Sequence, residues 1–156
     1  MLRADAPQDQ TTLVAQAKEL LATERDFIAN AGNISAFIFM FVPGLNWAGV
    51  YIARGSELVL GPFQGKPACT RIPLGKGVCG TAATKRETIV VLDVNEFAGH
   101  IACDTASQSE IVIPLVRAGQ LIGVLDVDSP TKGRFSEDDR ALFEALAEVL
   151  VAASDV

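Results

Sequence analysis

The stretch from Glu110 to Asp128, EIVIPLVRAGQLIGVLDVD, constrains this chain more than any other. Two runs rich in Ile, Val and Leu flank Ala118-Gly119, and a short turn of small residues between such runs marks a β-hairpin. A hairpin sets the start of its first strand beside the end of its second. It also fixes which side chains share a face, because successive strand residues point to opposite sides. Strict alternation puts Leu121, Gly123, Leu125 and Val127 on one face, and Ile122, Val124, Asp126 and Asp128 on the other. Two carboxylates therefore share the end of an otherwise apolar face, with Glu110 beside them. Asp128 taken alone reads equally as a solvated strand end opening the Asp128-Ser129-Pro130 turn. Asp126 interrupts an apolar run, and a buried acid must be paired or protonated. Like charges this close cannot all ionise, so at least one carboxyl holds its proton toward neutral pH. Such a group can act as a general acid.

The rest of the chain supplies partners for that hairpin. Apolar residues at helical spacing predict helices over 12–21 and 26–41, the second with Phe27, Ile28, Ala31, Ile34, Phe37, Ile38 and Phe41 as its buried stripe. Pro43-Gly44 stops it. Alternation predicts a strand over 47–53, a turn at Arg54-Gly55-Ser56 and a strand over 57–63, followed by loop at 64–68. A short strand is expected over 70–73, a short helix over 78–85, a strand over 89–92 and loop over 94–104. Ser136 reads as the cap of a last helix, with Asp138 and Asp139 in its first turn. Hairpin neighbours favour an antiparallel sheet, so the class is α+β. Residues 1–8 read as a flexible tail and 9–156 as one domain.

With 156 residues the chain suits a single domain with its own core. A net charge of −6 argues against nucleic acid or an anionic membrane as partner. The longest apolar run, Ala36–Val42, is far short of the ~20 residues that span a bilayer. MLRADAPQDQTT has no signal-peptide core, so a cytoplasmic location is expected.

Three cysteines, Cys69, Cys79 and Cys103, fall in Gly- and Pro-rich strings rather than in periodic apolar runs. An odd count excludes a fully paired disulfide framework, and in a reducing compartment such thiols suit transient redox chemistry or metal binding. Zinc held by Cys69, Cys79, His100 and Cys103 is disfavoured, because no close-spaced cysteine pair exists. The lone His100 reads better as a turn or hydrogen-bonding residue. GKGVCG has the look of an anion-binding glycine loop, yet it lacks the full phosphate-loop pattern. Trp47 and Tyr51 share a strand face. They are either plain core or an aromatic wall for a small ligand.

The strings NWAGVYIARGSELVLGPFQGKPACTRIPLGKGVCGTAA, DVNEFAGHIACDTASQSEIVIPL and GQLIGVLDVDSP closely resemble the free methionine-(R)-sulfoxide reductases, which are single GAF-domain enzymes. The resemblance spans residues 26–145. It implies a GAF fold with a central antiparallel sheet, terminal helices on one face and pocket loops on the other. It implies that free methionine (R)-sulfoxide is reduced to methionine, in defence against oxidative stress. Cys103 matches the nucleophile that becomes a sulfenic acid, Cys69 the resolving cysteine that forms a disulfide with it, and Cys79 an accessory third cysteine. Glu110, Asp126 and Asp128 match the carboxylates that hold the sulfoxide oxygen and the polar groups of the substrate. Trp47 and Tyr51 match the aromatics around its methyl group. No bound cofactor or metal is implied; the external reductant is thioredoxin or another dithiol. A homodimer is in keeping with GAF domains generally. The competing readings are a ligand-sensing GAF domain, for which the chain leaves no room for an output domain, and a thiol switch that never turns over a sulfoxide.

Overall fold

The computed structural model describes residues 8–100 and 106–156. The tail expected over 1–8 thus lies outside the described residues except for Gln8. The order is α1 (Gln10–Leu20), α2 (Phe27–Phe41), β1 (Trp47–Arg54), β2 (Glu57–Gly65), β3 (Arg71–Pro73), α3 (Gly77–Lys85), β4 (Ile89–Val91), a 3-10 turn (Val94–Glu96), β5 (Ser109–Arg117), β6 (Gln120–Ser129) and α4 (Glu137–Ala153). The strands form one six-stranded sheet in the order β3-β2-β1-β6-β5-β4, and every neighbouring pair is antiparallel.

α1, α2 and α4 begin where side chains satisfy their open N–H groups. Asp9 accepts from Thr12 N at 2.7 Å and Asp26 from Ala29 N at 2.9 Å. At α4, Ser136 and Asp139 cap each other reciprocally. The larger core lies between α1, α2 and α4 and one face of the sheet, with Ile34, Ile38, Phe143, Leu146 and Leu150 against Val50, Ile111, Leu125 and Val127. A smaller core covers the opposite face. There Val78, Ala82 and Ala83 of α3 meet Trp47, Tyr51, Val112 and Val124. The expected α+β architecture holds, with three helices on one face and α3 with its loops on the other.

Two expectations about faces need correction. Leu121 packs in the smaller core and Ile122 against the larger one, the reverse of strict alternation. The cause is a β-bulge: Leu115 pairs with Gly123 and Val116 with Leu121, so Ile122 is the extra residue. Beyond the bulge the alternation resumes, which leaves Val124 and Asp126 where the pattern put them. In α2, Ile28 is 50% exposed and not part of the buried stripe. It stands at the helix start beside the exposed Arg25–Asp155 ion pair, away from the sheet. Smaller shifts concern ends: β2 continues through Gln64 and Gly65 because they pair with Ala48 and Trp47. Asp93 accepts from Asn95 N and winds 94–96 into a short turn within the segment read as loop.

The β5–β6 connection is a two-residue turn between the paired Arg117 and Gln120, with Ala118 at φ 50° and Gly119 at φ 79°. Two positive φ values are what a type I′ turn requires, and only the first falls on a residue with a Cβ. A left-handed alanine costs about 1 kcal/mol. Ala118→Gly should therefore raise unfolding stability by up to about 1 kcal/mol, read as a higher urea midpoint with an unchanged m-value.

Candidate active site

The pairing register assembles the site. β6 lies between β5 and β1, so Asp128 stands opposite Glu110 on one side and Trp47 on the other. Asp126 stands opposite Val112 and Gly49. Gly49 is required here by close approach: a Cβ would come within 2.7 Å of the Trp47 ring and 2.4 Å of Phe63. The space it leaves lets the indole lie along the sheet, stacked on Phe63 at 5.2 Å and on Tyr51 at 5.9 Å between ring centroids. Both aromatics carry polar handles that hold the next loop. Trp47 Nε1 donates to Lys66 O at 3.1 Å, and the Tyr51 hydroxyl donates to Cys69 O at 2.9 Å.

From above the sheet, α3 contributes Cys79 in its first turn. Lys76 is the N-cap residue and makes no side-chain capping bond. The Cys79 thiol is buried and donates to Glu110 Oε2 at 3.9 Å, a long contact even for sulfur. His100 brings Nε2 to 4.0 Å from Glu110 Oε1. Trp47, Tyr51, Cys79, His100, Glu110, Asp126 and Asp128 together line a cavity of about 40 Å³, with Lys76, Gly77 and Ser107 at its margin. Neighbouring backbone is tied in as well: Asn46 N donates to Asp128 O, and Asn46 Nδ2 to Ser107 Oγ, both at 3.0 Å.

Burial governs the electrostatics. Glu110 and Asp126 are 7% and 5% exposed, and among the described residues no Lys or Arg is ion-paired to either. Desolvation first, and the negative charge of Asp126 second, hold the Glu110 carboxyl well above the usual range. Asp126 is pushed up the same way, by burial and then by Asp128. Burial and the three acids also raise the Cys79 thiol, so it stays a thiol at neutral pH. Tyr51 is shifted far upward for the same reasons, while burial lowers His100. The result is a pocket in which Glu110 and Asp126 retain protons toward neutral pH. It can donate to an oxygen that gains electron density, and it holds Cys79 as the neutral thiol.

Six of the eight residues singled out from sequence converge on this cavity: Trp47, Tyr51, Cys79, Glu110, Asp126 and Asp128. Cys69 sits on the half-buried loop that Tyr51 holds, beside the cavity-lining Ala68. Cys103 lies outside the described residues. Cys79 falls in the short helix expected over 78–85, and although its string is not a periodic apolar run the thiol is buried. His100, a turn or hydrogen-bonding residue by sequence, has its N–H bonded to Phe97 O in a turn, and in addition lines the cavity beside Glu110. Its adjacency to the Cys103 string was the available signal.

Comparison with known proteins defines the class first. The GAF domain family matches residues 11–153. The free methionine-R-sulfoxide reductase of Escherichia coli is 51% identical over 131 residues, covering 83% of this chain and 79% of that protein. The Saccharomyces cerevisiae protein of the same name is 44% identical over 133 residues, covering 80% and 74%. Among solved structures, the free methionine-R-sulfoxide reductase of Neisseria meningitidis in complex with its substrate superposes with a TM-score of 0.92 at 41% identity, covering 98% of this chain and 94% of that one. The chain belongs to the free methionine-R-sulfoxide reductases of the GAF family.

The raised carboxyls give a stability prediction with a definite sign. An unfolded Glu titrates near pH 4.3. Folded Glu110 keeps its proton to higher pH, so the native state binds more protons than the unfolded one above about pH 4. Its contribution to stability is complete below that pH and is lost as pH rises. Glu110→Gln removes this loss. Relative to wild type it should gain stability progressively from pH 5 to pH 8, measured by urea unfolding at each pH.

Proposed function

We propose that this chain reduces free methionine (R)-sulfoxide to methionine by thiol chemistry. The observation that carries the reading is the set of buried, proton-holding carboxyls beneath an aromatic wall. A sulfoxide sulfur becomes electrophilic when its oxygen is protonated or hydrogen-bonded, and Glu110, Asp126 and Asp128 supply that proton. The wall of Trp47 and Tyr51 suits an S-methyl group, and the acids suit the ammonium of a free amino acid.

In this mechanism Cys103 attacks the sulfur. The S–O bond breaks, methionine leaves, and Cys103 is oxidised to a sulfenic acid that carries the oxygen. The Cys69 thiol then attacks that sulfenic sulfur and expels water, giving a disulfide. An external dithiol, thioredoxin in this proposal, restores both thiols by exchange and is itself oxidised. Cys79 stays protonated throughout and acts by holding Glu110. No bound metal or organic cofactor enters these steps. The proposal includes a cytoplasmic setting and a homodimer. For location the supporting fact is narrow: among the described residues, no helix is long and apolar enough to cross a membrane.

The test is stereospecific turnover. Reduced protein is incubated with separate R and S epimers of free methionine sulfoxide and dithiothreitol, and methionine is quantified. Methionine should form from the R epimer alone and vanish in Cys103→Ser. Glu110→Gln should lower kcat by on the order of 10²-fold, the low end for loss of a general acid. Methionine from neither epimer would overturn the reading and leave a ligand sensor or a thiol switch.

A further inference from the structure

The residues beneath the aromatic wall share a second chemistry that proton donation does not use. The Cys79 sulfur and one oxygen each of Glu110 and Asp126 lie within 4.8 Å of one another, and all three residues are buried. They come from three elements, α3, β5 and β6, so no sequence spacing announces them. They also differ from the Cys69, Cys79, His100 and Cys103 set that spacing disfavours.

A second observation points to a ligand. Asp126 is 5% exposed and lines the cavity; its carboxyl interacts with Glu110, Asp128 and Cys79, yet its Oδ1 is fully buried with no hydrogen-bond partner among the described residues. Buried carboxylate oxygens in folded proteins are nearly always satisfied. An acceptor left open toward a cavity is a vacant coordination position in chemical terms. Around a tetrahedral zinc, with Zn–S about 2.3 Å and Zn–O about 2.0–2.2 Å, donor atoms stand roughly 3.3–3.8 Å apart. The Cys79 Sγ to Glu110 Oε2 distance is 3.9 Å. Side-chain adjustments of about 1 Å suffice to close the set on an ion. The cavity of about 40 Å³ has room for an ion with a water as its fourth ligand. His100 Nε2, 4.0 Å from the other oxygen of Glu110, is placed to orient that carboxylate.

We propose that the floor of the pocket binds a thiophilic divalent cation, zinc being the type ion, through Cys79 Sγ and the carboxylates of Glu110 and Asp126. Binding releases the thiol and carboxyl protons to solvent and involves no change of oxidation state. Because the ion engages the same carboxyls that protonate a sulfoxide, the metal-bound and catalytic states exclude each other. One thiolate and two carboxylates select zinc or cobalt over magnesium and calcium, which take all-oxygen sites.

The test uses the full chain carrying Cys69→Ser and Cys103→Ser, so that Cys79 is its single thiol. Titration with Co²⁺ should produce a thiolate-to-cobalt charge-transfer band in the near ultraviolet that saturates at one ion per chain and disappears on addition of Zn²⁺. Cys79→Ala in this background should abolish the band. Asp126→Asn should weaken the apparent affinity at least tenfold. Circular dichroism verifies that each variant is folded. If Asp126→Asn is not, Glu110→Gln carries the same comparison. Absence of the band in the folded single-thiol protein, or an affinity unmoved by the carboxyl substitution, overturns the proposal. No sulfoxide enters the experiment, so its outcome is independent of the reductase reading.

Discussion

The structure depends on one pairing register. β6 is held between β5 and β1, and that arrangement stacks Glu110, Asp126 and Asp128 at one end of the sheet with Trp47 and Tyr51 alongside. Each carboxyl would be solvated on an exposed edge. Under α3, Glu110 and Asp126 are out of water, so desolvation and the neighbouring negative charges act together and both hold their protons toward neutral pH. The large core on the opposite face makes this tolerable. It packs α1, α2 and α4 against Val50, Ile111, Leu125 and Val127, the residues that alternate with the acidic and aromatic side chains. The same strands therefore carry stability on one face and chemistry on the other.

Much of this arrangement is legible in the sequence. The hairpin around Ala118-Gly119 followed from two apolar runs and a small turn, and it brought Glu110 to Asp128 without any structure. Period-2 alternation gave the shared face of Trp47 and Tyr51. It failed at Leu121 and Ile122, because a bulge adds a residue that no local pattern marks. The helical spacing of α2 was right in its period but included Ile28, since periodicity does not say where a helix extends past its sheet. The burial of Cys79 was not legible either. Its Gly-rich surroundings carry no apolar periodicity that marks a buried face, and only the packing of α3 over the sheet turns the thiol inward. His100 joined the site for a comparable reason, through a tertiary approach to Glu110 from a segment with no regular pattern.

The glycines around the site act through absence of a side chain more than through flexibility. At Gly49 any Cβ would collide with Trp47 and Phe63, so the aromatic wall is a consequence of what β1 omits. Gly49 also stands directly opposite Asp126 in the register. One position thus clears the space for the indole and leaves the carboxyl without a cross-strand side chain on that flank. The aromatic and acidic parts of the pocket are, in this sense, cut from the same gap.

Trp47 is the only tryptophan in the chain. Its ring is buried at the cavity, and its Nε1 is bonded to the Lys66 carbonyl on the loop that carries Cys69. An indole's emission depends on its hydrogen bonding and on nearby acids. The protein therefore contains a built-in optical probe of a single locality. Whatever alters the protonation of the acids, the filling of the cavity or the seating of the Cys69 loop changes the surroundings of this one chromophore, and no second indole dilutes the signal.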